Sequence, residues 1–90
     1  MVYMILERFK NGDAVPVYRR FRARGRLAPG GLSYVSSWIS QDLTHCYQVM
    51  ECDDPKLLDQ WMDQWRDIVD FAVTPVVTSA QALEAVTPRL

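Results

Sequence analysis

His45 is by type the residue best suited to proton transfer, because it is the only histidine in the chain. A histidine side chain changes its protonation state near neutral pH, as a general acid or base must. Glu7 is the second candidate, since it is an acid within an otherwise apolar run. If its carboxyl group faces the protein interior, burial raises the pKa of Glu7 and makes it a base. The candidate catalytic residues are therefore His45 and Glu7.

Each candidate also has a structural interpretation. A histidine near a turn is commonly a half-exposed strand residue without a chemical role, and Glu7 can pair with an arginine at the strand end. Cys46 follows His45 directly, but successive side chains of a strand point to opposite faces, so the imidazole cannot activate this thiol. We therefore interpret Cys46 as a small buried apolar residue.

The sequence contains no motif for a cofactor or a metal ion. One histidine without a Cys-x-x-Cys pair supplies too few ligands for zinc. There is no Gly-rich phosphate loop and no flavin or nicotinamide fingerprint. Cys46 and Cys52 lie on one predicted strand at a separation of roughly 20 Å, too far apart for a disulfide. We expect no metal, no cofactor and two free thiols, as in a reducing compartment.

Length and composition indicate one globular domain over residues 1–90, with 49% hydrophobic and 23% charged residues. The longest uncharged apolar run, Met1 to Leu6, is far shorter than the ~20 residues of a membrane span and lacks the basic region of a signal peptide. A net charge of −1 argues against a dedicated binder of polyanions. We expect a soluble, cytoplasmic protein that contacts no membrane.

Four runs are rich in β-forming residues and are bounded by turn residues: Val2–Phe9, Leu32–Gln41, Leu43–Cys52 and Asp70–Val77. Apolar residues at helical spacing predict one helix from Ala14 to Ala28 and another from Pro55 to Val69. Thr78-x-x-Gln81 is a capping box that predicts a short last helix, Ser79 to Val86. This β-α-β-β-α-β order predicts an α+β, ferredoxin-like fold in which two helices cover one face of a four-stranded antiparallel sheet.

Both faces of the predicted sheet carry apolar side chains. The hairpin places Tyr34, Trp38 and Tyr47 on one set of alternate positions, and Val35, Ile39 and Met50 on the other. Two helices cover only one face, so the other requires a second cover. The simplest cover is another copy of the same sheet. We therefore expect a homodimer that forms through the open sheet face.

The pairing register of the hairpin decides which polar groups meet, and two registers are open. A two-residue turn at Gln41-Asp42 pairs Trp38 with His45 and gathers Tyr34, Ser36, Trp38, His45 and Tyr47 on one face. An odd-length turn pairs Trp38 with Cys46 and brings Gln48 beside the indole. We favour the first register. The predicted ligand-binding residues from the two registers are Tyr34, Ser36, Trp38, Tyr47 and Gln48.

Charges are segregated along the chain. Seven basic and two acidic residues lie between Glu7 and Arg26, and eight acidic and two basic residues lie between Asp42 and Asp70. In a ferredoxin-like fold the two helices are neighbours, so the arginines of the first can neutralise the aspartates of the second. The alternative is a nucleic-acid surface, but the third strand lacks the basic-Gly-aromatic signature of RNA-recognition domains. We expect no nucleic-acid partner.

Several short stretches together form a recognisable pattern: Glu7-Arg8-Phe9, Val17-Tyr18-Arg19-Arg20-Phe21, Gly25-Arg26, Ser37-Trp38, Cys46-x-Gln48-x-Met50-Glu51, Asp53-Asp54-Pro55, Trp61, Trp65 and Pro75-Val76. Over nearly the whole chain they resemble an uncharacterised bacterial family, domain of unknown function 3303. One departure is Ala72, where the family pattern has an acidic residue.

That family is similar to the dimeric α/β-barrel superfamily, in which two ferredoxin-like sheets pack face to face and each protomer has a pocket between sheet and helices. Its members include cofactor-free monooxygenases, muconolactone-type isomerases, dehydratases, polyketide cyclases and stress-responsive barrels. The resemblance implies this fold and a homodimer, and no particular reaction. Our first hypothesis is that the dimer binds a small hydrophobic, aromatic or polyketide-like compound and acts on it without a cofactor. A non-catalytic homodimer that binds a metabolite or a protein partner is the alternative, because a fold by itself implies no reaction.

Overall fold

The protein folds into a four-stranded antiparallel sheet with helices on one face, and the computed structural model describes all 90 residues. The strands are β1 (Val2–Phe9), β2 (Ser33–Ile39), β3 (His45–Glu51) and β4 (Val69–Val76), in the spatial order β2-β3-β1-β4. The helices are α1 (Val15–Arg24), α2 (Lys56–Asp63) and α3 (Ser79–Val86), with short 3-10 turns at Lys10–Gly12 and Thr87–Arg89. The predicted α+β, ferredoxin-like element order is confirmed, and Pro75 lies on an edge strand, where a residue without an N–H is tolerated.

The core lies between the sheet and α2. On the central strand β1, alternate residues such as Ile5 and Phe9 are buried beneath the helices. They meet Leu58, Trp61 and Met62, which recur at helical spacing along α2. We call this side of the sheet the covered face. The other side, the open face, has no helix packed on it.

Both long helices end earlier than the apolar spacing predicts. We expected the first helix to reach Ala28, but α1 ends at Arg24 because Gly25 takes a φ of 73° and its N–H donates to the Phe21 carbonyl. A positive φ favours glycine, which is why this residue ends the helix. α2 was expected to reach Val69 but ends at Asp63. Tighter turns, in which the N–H groups of Gln64, Trp65 and Ile68 donate three residues back, carry the chain into β4.

Neither predicted hairpin register is correct, because the loop is longer than two or three residues. Trp38 pairs with Tyr47, and Ile39 pairs with Cys46. Residues 41–44 form the loop, in which an Asp42 carboxylate oxygen accepts from the Thr44 backbone at 3.1 Å and from the Ser40 and Thr44 hydroxyls at 2.7 Å. These hydrogen bonds replace the glycine-based turn that a shorter hairpin would need.

The observed register differs from the favoured one by two residues. Because strand side chains alternate with a period of two, an even displacement keeps each side chain on its predicted face. Ser36, Trp38, His45 and Tyr47 therefore still share one face, the open face. Tyr34 does not join them, since a β-bulge between Tyr34 and Ser36 turns it to pair with Met50 on the covered face.

Of the predicted pairing between arginines of the first helix and aspartates of the second, the structure contains one ion pair. Arg20 of α1 makes a two-pronged contact with the Asp67 carboxylate, at 2.6 and 2.8 Å. This contact lowers the pKa of Asp67. Arg66 instead contacts Asp59 and Asp63 on the same segment of chain. Most of the α1 arginines are thus left facing solvent.

None of the helices combines the length and apolar character needed to cross a bilayer.

α3 has the predicted bounds and the predicted capping box between Thr78 and Gln81, but no residue of this helix is buried. Leu83 is 63% and Leu90 is 89% exposed. We expect removal of residues 78–90 to change the free energy of unfolding by less than about 0.5 kcal/mol, as for surface changes elsewhere. Urea denaturation measures this, with Trp61→Ala as a control that should lose about 3–5 kcal/mol. A loss above about 1 kcal/mol on truncation would contradict the expectation.

Candidate functional site

A cavity of about 260 Å³ lies between the covered face and the helices. Its floor is formed by Glu7, Cys46 and Gln48, which the β1–β3 register places side by side, since Glu7 is directly opposite Cys46. Trp61 and Trp65 line the α2 side. The cavity opens along α1, where two further lining residues are largely exposed: Tyr18 at 46% and Phe21 at 41%.

Glu7 is a buried acid that faces this cavity, and its side chain is 7% exposed. It forms no ion pair with an arginine; the neighbouring Arg8 pairs with Asp70 on the open face instead. Burial raises the pKa of Glu7 from 4.5 to about 7, although a hydrogen bond from the Cys46 thiol and the charge of Arg26 oppose the shift. At neutral pH the carboxyl group is therefore present in both protonation states, as a proton-transfer group requires.

Arg26 lines the cavity and is its one positively charged residue. Its Nη1 donates to the Gln48 side-chain oxygen at 3.1 Å, and its guanidinium lies 3.7 Å from the centre of the Tyr34 ring. The backbone is fixed as well, because the Arg26 carbonyl accepts hydrogen bonds from the indole N–H groups of Trp61 and Trp65, at 3.1 and 3.0 Å. Two tryptophans of the core thus hold the segment that follows Gly25.

Neighbouring groups fix the amide orientation of Gln48 and the protonation state of Cys46. The Gln48 amide nitrogen donates to the Met50 sulfur at 3.1 Å, so with Arg26 on the oxygen the orientation of the amide is set. Burial and the neighbouring Glu7 raise the pKa of the Cys46 thiol to about 12. The thiol therefore stays protonated at neutral pH and does not act as a nucleophile.

The structure divides the predicted site residues between two faces. Glu7 and Gln48 line the cavity, and Tyr34 lies beside it against Arg26. The other predicted residues, Ser36, Trp38, His45 and Tyr47, lie on the open face. The two candidate catalytic residues are thus on opposite sides of the sheet. His45 is half-buried, with its Nδ1 2.7 Å from the Thr44 hydroxyl oxygen.

Sequence reasoning missed Arg26 as a site residue because it was assigned to the first helix. The signal that could have placed it was Gly25, since glycine commonly ends a helix and the residue after it then leaves the helical surface. Ser37 was not among the predicted site residues, although it alternates with Trp38 onto the covered face and lines the cavity. The two tryptophans were assigned to the core, which is correct, and they also line the cavity.

Comparison with known sequences identifies the family. Residues 1–90 match the family described as "Domain of unknown function (DUF3303)". The chain belongs to the DUF3303 family. A search of curated proteins gives no match. Among solved structures the DUF3303 chain is similar to the crystal structure of protein Atu4242 from Agrobacterium tumefaciens, with 17% sequence identity and a TM-score of 0.48 over 88% of this chain and 96% of that one.

The cavity of this DUF3303 protein thus combines three properties that proton transfer on an organic compound requires. Glu7 can take or give a proton near neutral pH. Arg26 has donors that can stabilise negative charge on an oxygen. The aromatic walls can hold a flat ring and exclude water from it.

Proposed function

We propose that this DUF3303 protein is a homodimer that binds a small aromatic carbonyl compound and catalyses cofactor-independent proton transfer on it, as isomerases and cyclases do. Glu7 is the general base and acid, and Arg26 stabilises the oxyanion. The observation that carries the proposal is the position of the Glu7 carboxyl group, buried at the floor of an apolar cavity beside a guanidinium.

The proposed step needs no other reactant. The Glu7 carboxylate removes a proton from the carbon next to the carbonyl group. The electrons of the broken C–H bond form a carbon–carbon double bond, and the carbonyl π electrons move to the oxygen, which becomes an enolate oxyanion. Arg26 stabilises this charge in a site of low dielectric. Protonated Glu7 then returns the proton to the same or a conjugated carbon, which restores the carboxylate and gives an isomer.

The size and lining of the cavity support a small aromatic compound. Its volume of about 260 Å³ lies below the range of about 300–1,000 Å³ that is usual for drug-sized ligands. Phe9, Trp61 and Trp65 provide flat apolar walls against which a ring can stack. A ligand with one or two rings is therefore the class that we propose.

Hydrogen exchange on a simple ketone tests the proposal. Phenylacetone is incubated with the protein in D2O, and deuterium incorporation next to the carbonyl group is followed by proton NMR. We expect exchange above the buffer rate in the wild type and its loss in Glu7→Gln. His45→Gln is the matched control and should keep the activity, because His45 lies on the open face.

Two other outcomes would overturn the assignment. Loss of exchange in His45→Gln with retention in Glu7→Gln would transfer the catalytic role to the open face. Saturable binding of phenylacetone without any exchange in the wild type would instead identify a non-catalytic protein that binds a metabolite.

The open face supports the homodimeric part of the proposal. It carries apolar side chains from all four strands, among them Met4, Leu6, Trp38, Tyr47 and Val76. Four strands of about eight residues make a face of roughly 19 by 26 Å, about 500 Å² in projection. That is roughly three-fifths of the ~800 Å² that each partner contributes to a typical stable interface. A second copy offers a surface of the same size and composition, so we propose it as the cover.

A further inference from the structure

Arg26 is half-buried like Arg20, but unlike Arg20 it has no acidic partner. The arginines that do pair with carboxylates lie elsewhere in the chain: Arg8, Arg20 and Arg66. One of the five N–H donors of its guanidinium makes a hydrogen bond to Gln48. The remaining donors have no protein acceptor, although the side chain lines an apolar cavity. Because no buried side-chain nitrogen or oxygen of the protein lacks a partner, these donors are accessible from the cavity mouth and free to bind a ligand.

The position of this guanidinium is fixed before any ligand binds. The Tyr34 ring lies against it at 3.7 Å, the Phe21 ring lies at 5.2 Å, and Gln48 accepts from its Nη1. A pre-positioned guanidinium loses little conformational freedom when it binds an anion, and its fork of donors matches the two oxygens of a carboxylate. The site therefore has the geometry of a carboxylate receptor.

We infer that the ligand is a small aromatic carboxylate whose two oxygens pair with Arg26 while its ring lies against the wall formed by Trp61 and Trp65. This inference rests on the proposed function and makes the carboxylate the carbonyl group of the proposed step, so that Arg26 pairs with the same oxygens on which the negative charge develops. The carboxylate accounts for the unpaired guanidinium, and the ring accounts for the indole walls.

Glu7 is the one acidic residue that lines the cavity, and its protonation state determines how the affinity for a carboxylate ligand depends on pH. The titratable or charged groups that face it are Cys46 on β3, Tyr18 on α1 and Arg26. A bound carboxylate repels ionised Glu7 and can accept a hydrogen bond from protonated Glu7. The affinity for a carboxylate should therefore fall as the pH rises through the pKa of Glu7, which is about 7. Glu7→Gln should abolish this fall.

A matched pair of probes tests the inference. Naphthoate and naphthamide have nearly the same shape, but only naphthoate carries a charge. Their dissociation constants for the wild type, Arg26→Gln and Arg24→Gln are measured by isothermal titration calorimetry. Arg24 is the control because it is two residues away, exposed and outside the cavity. Substitution at Arg26 keeps the backbone carbonyl that receives both indole hydrogen bonds, so the fold of this segment is preserved.

We expect the wild type and Arg24→Gln to bind naphthoate about tenfold or more tightly than naphthamide, the effect that charge-assisted hydrogen bonds usually have. Arg26→Gln should lose this preference while its affinity for naphthamide changes by less than about threefold, a small effect on this scale.

Three results would overturn the inference. Equal affinities of the wild type for the two probes would show that no carboxylate receptor is present, and a preference retained by Arg26→Gln would show that Arg26 is not the receptor. The cavity would then remain a site for neutral rings, and the proposed proton transfer would stand. If neither probe binds to the wild type, the proposed small-molecule function fails together with the inference.

Discussion

Replacing Glu7 with glutamine is expected to raise the free energy of unfolding by about 3 kcal/mol above neutral pH, although the variant loses a charged group. The reason is that burial disfavours the ionised carboxylate, which raises the pKa of Glu7 from 4.5 to about 7. Glutamine has nearly the same size but never ionises. The same burial that prepares Glu7 for proton transfer thus reduces the stability of the wild type.

The sign of the pH dependence follows from the number of bound protons. Between pH 4.5 and about 7 the folded protein keeps the Glu7 proton, whereas the unfolded chain has released it. Stability therefore falls as the pH rises through this range and reaches its lower plateau above the folded-state pKa. Below pH 4.5 Glu7 is protonated in both the folded and the unfolded protein, so the wild type and Glu7→Gln should have similar stability.

Urea denaturation from about pH 5 to pH 8.5 measures this difference, which should grow by about 2–3 kcal/mol over the range. All variants are compared at one protein concentration, since dimer formation would also contribute to stability. Glu84→Gln is the matched control because Glu84 is exposed on α3, so its curve should run parallel to that of the wild type. A Glu7→Gln curve that also runs parallel would show that Glu7 ionises normally in the folded state.

Much of the fold could be predicted because its signals are local. The run of β-forming residues in Val2–Phe9 and the capping box at Thr78 predicted element bounds that the structure reproduces. The hairpin register could not be predicted, because its loop is held by Asp42 rather than by a glycine turn. The faces were nevertheless correct for Trp38 and His45, since the error was an even number of residues.

The candidate site depends on interactions over longer distances, which a single sequence shows less clearly. Glu7 could be predicted because it interrupts an apolar run. Arg26 was not predicted, because its place beside the cavity depends on the break at Gly25 and on two indoles 35 and 39 positions away along the chain. Tyr34 was placed on the wrong face, since nothing in the residues around Val35 indicates the bulge.

Trp38→Glu is expected to convert the proposed homodimer into monomers. Trp38 is 64% exposed and lies opposite Tyr47 on the open face, where the sheet has no cover. In a two-fold dimer each copy contributes this residue, so one substitution acts twice. Loss of a large aromatic anchor costs about 2–4 kcal/mol, and burial of an unpaired carboxylate costs more. We therefore expect the dissociation constant to rise by about a thousandfold or more.

Sedimentation velocity over a range of protein concentrations measures this change, and a control separates the interface from general effects of added charge. Val15→Glu introduces the same charge at a residue that is 56% exposed but lies on α1, away from the open face. It should remain dimeric, and an acid in the first turn of a helix is itself favourable. The cavity lies on the other side of the sheet, so monomeric Trp38→Glu should still bind naphthoate if the carboxylate site is correct. Dissociation of both variants, or of neither, would mean that the open face is not where two copies meet.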